Sequence, residues 1–210
     1  MPFFSSTFSE SLAPKESEGN RDGYINPSAI GKTLPNPLRL AILSEEPLVG
    51  HEIWFDKTDG SKTKRIAAGE FPTPALLAEF ETLIGATVAK EVDFDTKQPT
   101  QKNAIKKCAA FFVYDYEAQS VKVLSYSQVS LLREIDRKTG DPDYGDLTKW
   151  DLEINKTTSP KVSYSADMKP AIRLRDPAVA KQIKAAWDEA LAAGANIMRL
   201  TDGGNPFSDK

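Results

Sequence analysis

Lys106-Lys107-Cys108-Ala109-Ala110-Phe111-Phe112-Val113-Tyr114-Asp115-Tyr116, followed after Glu117-Ala118-Gln119 by Ser120-Val121-Lys122-Val123-Leu124-Ser125-Tyr126, decides the fold. Both runs are dense in aromatic and β-branched residues, as strands are. The short polar link between them predicts an antiparallel hairpin. Two further runs follow. In Trp150–Lys156, Trp150, Leu152 and Ile154 share one face and Asp151, Glu153 and Asn155 the other. In Lys161–Met168, Val162, Tyr164, Ala166 and Met168 alternate in the same way. Phe111 and Phe112 are consecutive and point to opposite faces, so in a simple barrel only one of them faces the core.

Working outward, Leu38–Ser44 and Val49–Phe55 read as strands, and Asp59-Gly60 as a tight turn returning the chain along Ser61–Ile66. Thr73-Pro74 caps a helix that carries Leu76, Leu77, Phe80, Leu83 and Ile84 and stops at Gly85. Ser127–Lys138 reads as a second helix with Val129, Leu132 and Ile135 inward. Asp176-Pro177 opens a third, whose stripe is Val179, Ile183, Ala186, Trp187, Ala190 and Leu191. The expected organisation is a flexible arm over 1–33, a β domain over 34–175 with an insertion at about 73–104, a helix over 176–194 and a tail over 195–210. The fold class is mainly β with helices (α+β): an OB-like antiparallel barrel with a capping C-terminal helix.

Composition narrows the function. The chain has 210 residues, 40% of them hydrophobic, enough for one sizeable core. No apolar run approaches a membrane span of roughly 20 residues. The opening Met1-Pro2-Phe3-Phe4-Ser5 lacks the basic and apolar regions of a secretion signal. His51 and Cys108 are the only residues of their kinds. One cysteine forms no internal disulfide and suits a cytoplasmic setting. Zinc sites built from histidine and cysteine are excluded, and phosphate-cradling glycine loops are missing. The expectation is a non-catalytic protein with no metal or cofactor. A carboxylate nuclease would need Asp141, Asp143 and Asp146 around Mg2+, yet their spacing reads more simply as turn chemistry.

The net charge of −3 conceals an uneven distribution. Residues 102–175 hold 13 Lys and Arg against 10 Asp and Glu, whereas residues 34–101 hold 7 against 11. The sequence interleaves cations with rings, the two devices that hold single-stranded nucleic acid. Trp54 and Phe55 stand across a turn from Lys62, Lys64 and Arg65. Lys107 precedes Phe111, Tyr114 and Tyr116, Lys122 neighbours Tyr126, and Lys156 precedes Tyr164. Core packing is the competing account of every one of these rings.

Three stretches together resemble a group of bacteriophage single-stranded DNA-binding proteins. They are Asn36–Phe55, Phe111–Tyr116 with Val121–Gln128, and Asp141–Asp146 with Trp150–Lys156, followed by Val162–Met168. His51 stands where that family has an aromatic residue. The resemblance implies an OB-type barrel, binding of single-stranded DNA without sequence preference, and service to DNA replication or recombination in a host cytoplasm. By position it implies contacts from Arg39, Trp54, Lys64, Arg65, Lys107, Phe111, Tyr114 and Lys122. Such proteins often end in a strongly acidic, partner-recruiting tail. Here the tail holds only Asp202 and Asp209, although Asn205-Pro206-Phe207 could act as a small hook for replication or recombination proteins. The alternative is a protein-interaction or virion-associated module, a homo-oligomer built through the aromatic strand edge and the Trp187 helix.

Overall fold

The computed structural model describes residues 23–44, 46–69, 71–93, 95–100 and 104–208. Most of the expected arm, including Phe3, Phe4 and Phe8, lies outside the described residues. Strands β2 (Leu38–Ile42), β3 (Leu48–Asp56), β4 (Lys62–Ala68), β8 (Ile105–Asp115), β9 (Ser120–Tyr126), β10 (Trp150–Thr157) and β11 (Ser163–Pro170) form the main sheet. The two-residue β1 (Tyr24–Ile25) and β5 (Thr87–Val88) join its periphery, while β6 (Glu91–Val92) pairs with β7 (Pro99–Thr100) separately. Three α-helices lie among the described residues: α1 (Pro74–Ile84), α2 (Val129–Thr139) and α3 (Pro177–Ala192).

The architecture turns on β8. One of its edges pairs along β9, from Ala109 opposite Tyr126 to Asp115 opposite Ser120. The other edge is shared end to end. Ile105–Ala110 pairs with β3, and Val113–Asp115 pairs with β2. Between β2 and β3 the chain interrupts its ladder, and there the Leu43 N–H donates to the Phe112 carbonyl. The sheet therefore forks. From β2 it continues through β10 to β11, and from β3 it continues to β4 and β5. The fold is mixed α/β, and the sheet is open, because β4 and β11 pair only with β3 and β10 respectively.

Two layers of helix explain why β8 is apolar on both faces. Ala109, Phe111 and Val113 join Leu131 and Ile135 of α2 in one cluster. Cys108, Ala110, Phe112 and Tyr114 join Ile183 of α3 in the other. The barrel expectation left room for only one of Phe111 and Phe112 in the core. Both are buried, because a sheet covered on both sides has two interiors. Each ring withdrawn from water contributes roughly 1.5–3 kcal/mol.

The helix caps are those expected. Thr73 Oγ1 accepts the Leu76 N–H, and Gly85 adopts φ 64° after α1. Asp176 accepts from Ala178 and Val179 at the start of α3. In α2 the inward residues are Leu131 and Ile135; Leu132 is partly buried and Val129 is 59% exposed. The expected stripe is thus rotated by about one residue.

Order also extends past the expected boundaries. Within the arm, β1 pairs parallel to β9, and Ile25 and Ile30 are buried. Within the tail, a 3-10 helix (Ile197–Thr201) leads to Pro206, whose carbonyl accepts the Asn196 N–H. Phe207 packs edge-on against Phe112 and Tyr24, at centroid distances of 5.7 and 6.2 Å. A Cβ on Gly23 would lie 2.7 Å from the Phe207 ring, so only glycine lets the two ends of the described chain close on each other. No helix among the described residues is long and apolar enough to cross a membrane.

Candidate nucleic-acid interface

The fork leaves a groove. It runs from the interrupted β2–β3 edge across β3, β8 and β9 to α2, and encloses about 1600 Å³. Register sets its floor and its rim. His51 of β3 lies opposite Lys107 of β8, and opposed residues share a face. Arg133 of α2, one turn beyond the exposed Val129, faces the groove from the other side, and Val49 and Phe71 also line it. Two acids, Glu91 and Asp136, contribute to the same lining.

One residue earlier on β8, Lys106 lies opposite Glu52 and so shares the reverse face of β3 with Trp54 and Asp56. Trp54 lies opposite Lys64, and Asp56 opposite Lys62. The consecutive lysines thus place one cation on each side of the sheet. On this reverse face Glu52 is a buried hub. It accepts from Ser127 Oγ (2.8 Å), Trp54 Nε1 (3.3 Å) and Lys64 Nζ (3.3 Å). The Lys64 ammonium also lies 5.9 Å from the centre of the half-buried Trp54 ring.

The fourteen residues expected to touch DNA divide into three groups. Phe55, Phe111, Tyr114, Tyr126 and Tyr164 are 0–7% exposed. At that burial they offer no ring face to a base, because both sheet faces are already covered. Phe111 and Tyr126 pack edge-on at 6.1 Å beneath the groove floor. A second group is engaged within the fold. Arg39 Nε donates to the fully buried Asp151 at 2.9 Å and Arg39 also donates to the Pro170 carbonyl. Tyr116 Oη donates to the same carboxylate at 2.8 Å, and burial pushes that phenol's pKa up. Lys122 pairs with buried Asp115 at 2.9 Å. Lys156 Nζ donates to the carbonyls of Ser28 and Ile30. The Arg65 guanidinium lies against Gly203, where a Cβ would approach it to 2.4 Å. The third group, Trp54, Lys62, Lys64 and Lys107, remains at the surface.

The groove also brings in residues that the pattern of strands did not mark. Phe71 is 59% exposed and meets His51 edge-on at 5.4 Å. Its position gave a signal: an aromatic in a turn between a strand end and a proline-capped helix lies on neither element's core face. Arg133 gave none, since its place at the rim depends on the rotation of α2. Among the described residues Lys62, Lys106, Lys107 and Arg133 make no ion pair with a carboxylate.

The remaining chemistry is quiet. Burial pushes the Cys108 thiol up to about 12, away from reactivity. Asp141 caps the Asp143 N–H, and Asp146 caps Thr148 through both its N–H and its hydroxyl. Among the described residues no three His, Cys, Asp or Glu side chains are grouped to hold a metal ion. Compared with known proteins, the chain matches no family model, no curated protein and no solved structure.

Proposed function

We propose that this protein binds single-stranded DNA without sequence preference, along the groove and over the adjoining Trp54 patch. The observation that carries the reading is the pair Lys107 and Arg133, which make no ion pair among the described residues, around a groove that presents an exposed Phe71 ring. Cations without carboxylate partners are available to neutralise phosphates. A ring with a free face stacks on a base for about 1–3 kcal/mol. Trp54, with Lys62, Lys64 and Lys106 beside it, offers the same pair of devices on the reverse face. The resemblance of three stretches to phage single-stranded DNA-binding proteins supports the reading. An OB-like origin for the forked sheet, and service to replication or recombination, belong to the same proposal. It assigns no catalytic step, metal or cofactor.

The homo-oligomer reading would use Trp187, which is half-buried on α3. The Trp187 ring turns inward onto Phe112, with centroids 5.2 Å apart.

The test is a tryptophan-fluorescence titration with a thymidine oligonucleotide, paired with the same titration against duplex DNA. Quenching by the single strand, with Phe71→Ala weakening it about tenfold, supports the groove. Absence of any response up to tens of micromolar, or equal response to duplex, overturns the proposal.

A further inference from the structure

The floor of the groove contains a polar atom that the fold leaves unsatisfied. His51 is 6% exposed, and its Nδ1 has no hydrogen-bond partner. The Gly69 backbone lies close to the ring and favours its protonated form, against the larger effects of burial and Lys107. A neutral imidazole that carries its proton on Nε2 leaves the unpartnered Nδ1 a bare acceptor, the tautomer taken here. Burial and the neighbouring Lys107 ammonium both lower the pKa of the ring, which favours its neutral form. A buried acceptor without a donor costs free energy, and in a groove floor a ligand can supply the donor. The neighbours argue which ligand. Phe71 is the ring against which a planar group would lie, and Lys107, opposite His51 on β8, is a cationic donor at the same level.

We infer that His51 reads the edge of a nucleobase, with Nδ1 accepting a ring N–H while Lys107 donates to the carbonyl beside it. An acceptor next to an ammonium donor complements a ring N–H adjacent to a C=O, the lactam edge of thymine, uracil and guanine. Adenine and cytosine present the same order of donor and acceptor through an exocyclic amine and a ring nitrogen, so the pair reads a donor-acceptor edge rather than one class of base. The edge-on Phe71 ring shifts to admit the base. The inference rests on the single-stranded DNA reading above and names the group that this site recognises.

The experiment compares a thymidine oligonucleotide with its N3-methylthymidine counterpart, which keeps the charge and the stacking face but lacks the N3–H. Affinities are measured by fluorescence anisotropy of end-labelled strands on the wild-type protein, His51→Leu and His51→Asn. Wild type is expected to bind the methylated strand about tenfold more weakly, the scale of one lost hydrogen bond to a buried acceptor. His51→Leu is expected to bind both strands alike, and His51→Asn, which restores an acceptor, to regain part of the discrimination. Equal wild-type affinity for the two strands overturns the inference and leaves DNA binding intact. So does undiminished discrimination by His51→Leu, because the methyl group would then be clashing elsewhere. Failure of wild type to bind either strand overturns the binding reading itself.

Discussion

Trp54 and Tyr114 show how far two similar residues diverge once they are placed. Each is an aromatic on a strand with lysines close in sequence. Trp54 lies half-buried on the outer part of β3, with its indole N–H on Glu52 and Lys64 over its face. Tyr114 is 2% exposed between β8 and α3. Trp54→Ala is therefore expected to weaken single-strand binding about fivefold or more while shifting the thermal melt little. Tyr114→Ala should instead lower stability by about 3 kcal/mol in a denaturant titration, as core truncations do. His51 supplies a second residue-scale prediction, free of interference because it is the only histidine. Burial and Lys107 depress its pKa in the fold, below an unfolded value of about 6.5. Above that value both states are neutral and the group contributes nothing to the pH dependence. As pH falls through it, the unfolded chain takes up a proton that the folded chain does not, so stability declines until the folded pKa is reached. Melting temperatures measured between pH 7.5 and pH 5.5 should fall more for wild type than for His51→Gln. An identical fall in both would show that carboxylates alone drive the loss.

At the scale of elements, the consequential departures are small rotations and added layers. The 3.6-residue period correctly locates α2, but Val129, Leu132 and Ile135 form only one of two neighbouring stripes. Packing against β8 and β11 selects Leu131 and Ile135, which exposes Val129 and turns Arg133 toward the groove. The C-terminal segment is the other case. Its polar composition reads as a tail, yet Phe207 fills a gap between Phe112 and Tyr24, and Gly203 lies over Arg65. Phe207→Ala should destabilise the fold by about 2 kcal/mol, below the usual cost of a fully buried phenylalanine because the ring is only half-buried. A melt unchanged by that substitution would mean that the segment merely rests on the domain.

Across the whole molecule, charge placement outweighs net charge. In a chain of formal charge −3, some acids are taken up inside the fold while several cations stay at the surface. Asp115 and Asp151 are buried with Lys122 and Arg39, while Lys62, Lys106, Lys107 and Arg133 are left unpaired. If those four cations release counterions from a single strand, log K should fall against log salt with a slope of about −0.7 per phosphate neutralised. The double charge reversal Lys107→Glu with Arg133→Glu should shallow that slope by more than one unit, with the melt little changed. A slope unaffected by the reversal would place the phosphates elsewhere on the surface.

The order of the strands, the β8–β9 hairpin, the Asp59-Gly60 turn and the caps at Thr73 and Asp176 were legible in the sequence, because each depends on neighbours within a few residues. The sheet's fork, its two covered faces and its open edges were settled only by tertiary structure. So were the engagement of Arg39, Arg65, Lys122 and Lys156, the burial of five expected contact rings, and the exposure of Phe71 and Arg133. Local sequence sets backbone conformation and alternation. Whether a given face meets solvent, a helix or a distant carboxylate is decided by which segments pack together, and Arg39 and the Pro170 carbonyl, for example, are 131 residues apart along the chain.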